Sequence, residues 1–195
     1  DKALDYYNSS LTIAEEIDDK DTMGHSIYNI GVIYWHKDDY DKALEYFYRS
    51  LKIDEEIDDK LAIVNSLNNI GGVYYSQGNF EKALEYSAKS LKIREELGDK
   101  KGIANALNNI GLIYHNQGDY AKAIDYYTRS LKIREELGDK RGIAASLINI
   151  GGIYYNQGDL AKAIDYYTRS LKIREEIGDK NGIAMSLLNI GLIYY

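Results

Sequence analysis

Residues Lys101–Lys140 read KGIANALNNIGLIYHNQGDYAKAIDYYTRSLKIREELGDK, and Arg141–Lys180 read RGIAASLINIGGIYYNQGDLAKAIDYYTRSLKIREEIGDK. The two stretches agree at 32 of 40 positions, so the chain is built from copies laid end to end. A strict period of this size specifies stacked units that each pack against their neighbours, not one closed core. The register runs both ways from here. It gives a partial unit at 1–20, full units at 21–60, 61–100, 101–140 and 141–180, and a partial unit at 181–195, read as a single array over 1–195.

Within one unit, Ile103, Ala106, Leu107, Ile110, Ile113 and Tyr114 recur at intervals of three and four, which predicts a first helix, A. Asn116-Gln117-Gly118-Asp119 ends it: Gly118 suits a left-handed closure, and Asp119 suits the cap of the next helix. Helix B follows through Ala123, Ile124, Tyr127, Leu131 and Ile133, and stops at Gly138-Asp139. The first third differs, with Asp18 and Asp58 where later units have Gly98, Gly138 and Gly178. Acid-before-base pairs at i, i+4 (Glu45–Arg49, Glu85–Lys89, Asp125–Arg129, Asp165–Arg169) mark the solvated face of helix B. The absence of proline fits a chain of helices and short turns.

The 20 tyrosines, against 2 phenylalanines, suit half-buried seams between helices, where the ring packs and the hydroxyl reaches water. Charge is unevenly spread. Residues 1–60 carry 16 Asp and Glu against 7 Lys and Arg, whereas each later unit is balanced within one charge. No basic field exists for nucleic acid. There is no cysteine for disulfides or thiolate metal sites, and no apolar run approaches the roughly 18 residues that would span a bilayer. These features predict a soluble, cytoplasmic protein with neither cofactor nor membrane partner. His25, His36 and His115 lack partners at metal-ligand spacing, and the glycines form no phosphate loop, so no catalytic role is expected.

Leu107-x-x-Ile110-Gly111-x-x-Tyr114, then Gly118, Tyr120, Ala123-x-x-x-Tyr127 and Ser130, resembles the tetratricopeptide repeat. The signature recurs at Ile27/Ile30/Gly31/Tyr34, Leu67/Ile70/Gly71/Tyr74, Leu147/Ile150/Gly151/Tyr154 and Leu187/Ile190/Gly191/Tyr194. The period is 40 instead of 34, no proline closes helix B, and the leading aromatic is aliphatic. In this it is similar to the long-helix variety found in spindle-orientation adaptors, kinesin light chains and bacterial multidomain proteins. The resemblance implies an all-α solenoid, a right-handed superhelix of antiparallel helix pairs with about five repeats, that binds a protein or peptide in its concave face.

Differences between the closest copies concentrate on one line. Five of the eight between the two closest units lie at 101, 105, 108, 112 and 115, one stripe along helix A. Arg141–Tyr155 and Asn181–Tyr195 differ only at 141/181, 145/185, 148/188 and 152/192, on the same stripe. Drift would scatter over exposed positions of helix B as well, so the stripe reads as a recognition surface. Its candidate contact residues are His25, Tyr28 and Trp35; Asn65, Asn68 and Tyr75; Asn105, Asn108, Leu112 and His115; Ile148 and Tyr155; and Met185, Leu188, Leu192 and Tyr195.

Beside it runs a column, Asn29, Asn69, Asn109, Asn149 and Asn189, one per unit and always before Ile-Gly. Asparagine is a poor helix former, so its recurrence in mid-helix needs a reason. One is that each amide fixes stacking. The other is that it holds the C=O and N–H of an extended peptide, as inward asparagines do in related repeats. The residues preceding them, Tyr28, Asn68, Asn108, Ile148 and Leu188, lack the lysines and arginines of a carboxylate clamp, which argues against a receptor for chaperone tails.

Two other roles are compatible with the sequence: a self-assembling spacer, and a sensor segment of a larger signalling protein. For the first, the chain opens on a lone helix B and closes on a helix A. Head-to-tail association through Asp1–Ile17 and Asn181–Tyr195 is therefore expected, with Ala3, Leu4 and Tyr7 meeting Leu187, Ile190 and Tyr194.

Overall fold

A computed structural model describes residues 2–194. These residues form ten α-helices and no strand, in two compact units divided between residues 97 and 98. The first unit holds α1 (Lys2–Glu16), α2 (Lys20–His36), α3 (Tyr40–Glu56), α4 (Lys60–Ser76) and α5 (Phe80–Leu97). The second holds α6 (Lys100–Asn116), α7 (Tyr120–Glu136), α8 (Lys140–Asn156), α9 (Leu160–Glu176) and α10 (Lys180–Ile193). Even-numbered helices are the predicted A helices and odd-numbered ones the B helices. Within each unit every helix packs on the next, the stacked-pair arrangement of an all-α solenoid.

Helix ends follow the predicted chemistry. Gly118 and Gly138 take φ of +77° and +66°, and Asp119 accepts a hydrogen bond from the Lys122 amide at 3.2 Å. The Gly118 and Asp119 amides fold back onto the carbonyls of His115 and Tyr114, satisfying acceptors that the helix leaves open. Asp18, Asp38 and Asp58 make the same left-handed closure at φ of 55–57°. Asp38 does so in the A-to-B turn, at the position that Gly78, Gly118 and Gly158 hold in later copies.

The apolar stripes meet as expected. Ala123, Tyr127, Leu131, Leu147, Ile150 and Ile153 form a core cluster in the second unit, and Leu11, Ile27 and Ile30 one in the first. Gly111 of the Ile-Gly signature lies where helix A touches helix B: a Cβ there would stand 2.7 Å from the Tyr127 ring. Tyrosines clamp each pair from its edge. Tyr34 stacks on Tyr46, Tyr74 on Tyr86, Tyr114 on Tyr126 and Tyr154 on Tyr166, with ring centroids 5.4–5.7 Å apart. A lysine, 42, 82, 122 or 162, lies over the first ring of each stack. A tyrosine ring takes this cation–π contact as a phenylalanine would, and its hydroxyl is what suits it to a half-wet seam.

Candidate functional site

The asparagine column divides by environment. Asn29 donates to the His25 carbonyl of its own helix at 2.8 Å. Asn69 donates to the Tyr28 hydroxyl at 2.9 Å, and Asn149 to the Asn108 side-chain oxygen at 2.9 Å. Those two bonds join neighbouring A helices 41 positions apart, so part of the column fixes stacking. Each of the three amides carries a second N–H and an oxygen besides the atom used in these bonds. Asn109 is exposed, and Asn189 is half-buried.

Several stripe residues also take part in the scaffold. Asn68 accepts from the Ser90 hydroxyl at 2.7 Å, and Asn105 accepts from Arg134 Nη2 at 3.1 Å. Trp35 is half-buried, edge-on to Phe47, and its ring lies where a Cβ on Gly72 would stand, so the absence of a side chain at 72 seats the indole. Tyr75 packs near Phe80 at 5.8 Å. His115 Nε2 and Asn156 Nδ2 are 2.8 Å apart, and burial pushes the His115 imidazole pKa down. Burial likewise raises the Tyr28 pKa, against the opposing Asn69 bond.

Others face solvent. His25 and Asn65 are exposed, as are Leu112 and Tyr155, while Ile148 is half-buried. Met185, Leu188 and Leu192 are more than half exposed. Tyr195 of the stripe and Asp1 of the terminal segment lie outside the described residues. Among the described residues no group of three His, Asp or Glu is placed to hold a metal ion, and no helix is long and apolar enough to cross a membrane.

One position that bears on this surface escaped sequence reasoning. The residue before the Glu-Glu pair of helix B is Ala14, Asp54, Arg94, Arg134 and Arg174 in successive copies. Arg134 is 7% exposed, and Nη1 donates to the Gly142 carbonyl at 2.8 Å and to Ser146 Oγ at 3.2 Å. Asp54 is 4% exposed and accepts from Ser50 Oγ at 3.3 Å and Ser66 Oγ at 3.1 Å. Burial raises its carboxyl pKa, opposed by those two bonds; Asp59 adds to the rise and His25 counters it. Asp54 lines a cavity of about 270 Å³ together with the stripe residues His25, Tyr28 and Asn65. The signal was present as a charge inversion at a fixed repeat position. It was masked because Asp54 stands in an acidic run with Glu55 and Glu56, both of which are exposed.

The family profile of the tetratricopeptide repeat matches residues 1–56, 25–96, 62–136 and 142–195. The chain belongs to the tetratricopeptide repeat family. Among solved structures, the tetratricopeptide repeats here are similar to BtubC from P. vanneervenii, at 21% identity and a TM-score of 0.85 over 99% of this chain and 82% of that one. They also resemble a signal transduction ATPase with numerous domains that carries a tetratricopeptide repeat sensor, from Pyrococcus horikoshii. That match has 24% identity and a TM-score of 0.84 over 94% of this chain and 29% of the other. A Rap protein complexed with competence and sporulation factor matches at 20% identity and 0.74, over 98% of this chain and 59% of that one. No curated protein matches the sequence significantly. At these identities the neighbours speak for the fold.

Proposed function

We propose that this tetratricopeptide array is a non-catalytic scaffold that binds an extended segment of a partner protein along the A-helix stripe. The observation that carries it is the confinement of variation: copies that keep their turns, seams and caps change at 141/181, 145/185, 148/188 and 152/192 and at no other position of that helix. The asparagine column is the proposed main-chain grip, through Asn109 and through the amide atoms that Asn69 and Asn149 leave available. At roughly 1 kcal/mol net per hydrogen bond, the column alone does not offset the ordering of a flexible segment. Affinity has to come from side-chain anchors beside Trp35, Tyr155, Ile148 and Leu188. A second reading, a sensing segment within a larger signalling protein, draws support from the Pyrococcus horikoshii neighbour, of which this chain spans 29%.

Selection of random nonapeptides displayed on phage against the immobilised protein, followed by calorimetry on synthetic winners, tests the proposal. Micromolar binders whose amide-shift changes fall on the A helices of either unit, α2 and α4 or α6, α8 and α10, are expected. Failure to recover any binder, or shifts centred on the outward faces of α3, α7 and α9, would discard it.

A further inference from the structure

We propose that the cavity beside Asp54 is a guanidinium pocket that receives an arginine side chain of the bound partner segment. The proposal rests on the reading above, because His25, Tyr28 and Asn65 of the stripe form its walls together with Gly24 and Ala62.

Three observations converge. First, Asp54 is a buried carboxylate that, among the described residues, accepts hydrogen bonds from the neutral hydroxyls of Ser50 and Ser66 alone. Among the described residues no lysine or arginine bears on it; the charged groups that do are Asp59 and His25. A buried charge without a counter-charge is costly, and a cation entering the cavity would relieve that cost. Ser50 and Ser66 both act on one carboxylate oxygen, Oδ2, which leaves Oδ1 to accept from an incoming donor.

Second, the repeat shows what this space holds elsewhere. The Arg134 guanidinium contacts Gly142, Ser146 and Asn105, whose counterparts two repeats earlier are Ala62, Ser66 and His25. Ala62 and His25 line the cavity, and Ser66 bonds Asp54. One repeat thus fills this volume with its own guanidinium, while the other opens it and places a carboxylate on its wall. Gly24 completes the change: a Cβ there would stand 2.8 Å from Asp54 Oδ1, and the same position is Val64, Ala104, Ala144 and Ala184 in the other copies.

Third, the surroundings select for a guanidinium. Residues 1–60 carry 16 acidic against 7 basic residues, a field that draws cations toward this unit. Tyr28 lines the cavity with an aromatic ring, on which a planar, weakly hydrated guanidinium stacks better than a compact ammonium.

The test is an NMR titration of the 195-residue protein with Nα-acetyl-arginine methylamide, run beside the citrulline and lysine analogues. Saturable millimolar binding, with shifts centred on His25, Tyr28, Ala62 and Asn65, is expected for the arginine compound. The lysine compound should bind severalfold more weakly, and the uncharged citrulline compound at least roughly tenfold more weakly. Asp54→Asn keeps acceptors for both serines and should lose roughly tenfold or more in affinity. Asp54→Arg combined with Ala62→Gly restores the fitted pair of the sister repeats, so it should fold as they do, fill the pocket from within and abolish binding. Equal binding of citrulline, undiminished binding by the Asp54→Arg, Ala62→Gly double variant, or no shifts at the pocket in the wild-type protein would overturn the assignment. Display winners that occupy the stripe yet show no arginine enrichment and no shift at Ala62 would defeat the pocket and leave the scaffold reading standing. Arginine shifts at the pocket with no winners would do the reverse.

Discussion

Arg134 and Gly142 are fitted to each other across a repeat junction: the guanidinium donates to the Gly142 carbonyl at 2.8 Å, and a Cβ on Gly142 would stand 2.7 Å from Arg134 Cδ. Arg174 and Gly182 repeat the close steric fit, with a Cβ 2.6 Å from Cδ, while the Arg174 guanidinium donates to Asp179 Oδ2 at 3.2 Å and Nε to Ser170 Oγ at 3.3 Å. Arg94 is likewise followed by Gly102, whereas Asp54 is followed by Ala62 and Ala14 by Thr22. The B helix thus decides how small the next A helix must be at its first turn.

Gly142→Ala should destabilise the protein by about 1–3 kcal/mol through overpacking, since the new methyl also crowds the capping carboxylate of Asp139. Adding Arg134→Ala should recover part of that loss. Urea unfolding of both single variants and the double gives the coupling, expected to exceed roughly 0.5 kcal/mol. Simple additivity would show that the fit carries no energy.

Asp54 makes the fold sensitive to pH in a direction opposite to that of most carboxylates. Its pKa is raised above the ordinary 3.8, chiefly by burial, so the folded state binds the proton more tightly than the unfolded chain does. The penalty for ionising it is absent below that ordinary value and complete once the pH passes the raised one. Asp54→Asn should therefore stabilise the protein at pH 7, and the gain should shrink as the pH falls through the raised pKa and vanish below the ordinary one. Thermal melts at matched ionic strength check this; a gain that persists at low pH would assign it to packing and not to charge.

Three left-handed closures by aspartate mark the first unit as improvable. Replacing Asp18, Asp38 and Asp58 with glycine, the residue used at Gly78 through Gly178, should add about 0.5–1 kcal/mol each. The ion pair lost between Asp58 and Lys60 is solvent-exposed and offsets little of this. In the native chain, amide exchange should be fastest in residues 2–60. Uniform exchange, or a lower melting temperature in the triple variant, would contradict the assignment of strain to these turns.

The column should separate under mutation. Asn109→Ala removes an exposed side chain and should leave stability within about 0.5 kcal/mol while weakening a groove-bound peptide by roughly 1–2 kcal/mol. Asn149→Ala also breaks the bond to Asn108, so it should cost about 1 kcal/mol of stability as well. Equal stability losses at both sites, with peptide affinity unmoved, would reduce the column to a stacking device.

Helix pairs and their ends were legible because their causes are local: Gly118 and Asp119 close one helix and open the next whatever lies beyond them. Signature and stripe were legible because repetition supplies its own comparison. What could not be read was anything set by the offset between one A helix and its neighbour. Asn69 meets Tyr28 and Asn149 meets Asn108, although both asparagines stand at the same repeat position and their partners differ. Asp54 was hidden for a related reason. Burial of one carboxylate in a run of three depends on which helix face turns inward, and the neighbouring Glu55 and Glu56 dominate the sequence pattern.

Junction fitting of the Arg134–Gly142 kind constrains how such a gene can lengthen. Matched residues lie on opposite sides of the B-to-A turn, so a recombination breakpoint there sets one half of a fitted pair beside an unselected partner. Breakpoints in the A-to-B turns at Gly78, Gly118 and Gly158 move both halves as one cassette. Asp54 is matched on both sides, to Gly24 before it and Ala62 after it, and neither breakpoint frees it. Arg134 also reaches back across the Gly118 turn to Asn105, so a breakpoint in an A-to-B turn preserves the fit to the following helix and puts the bond to the preceding one at risk.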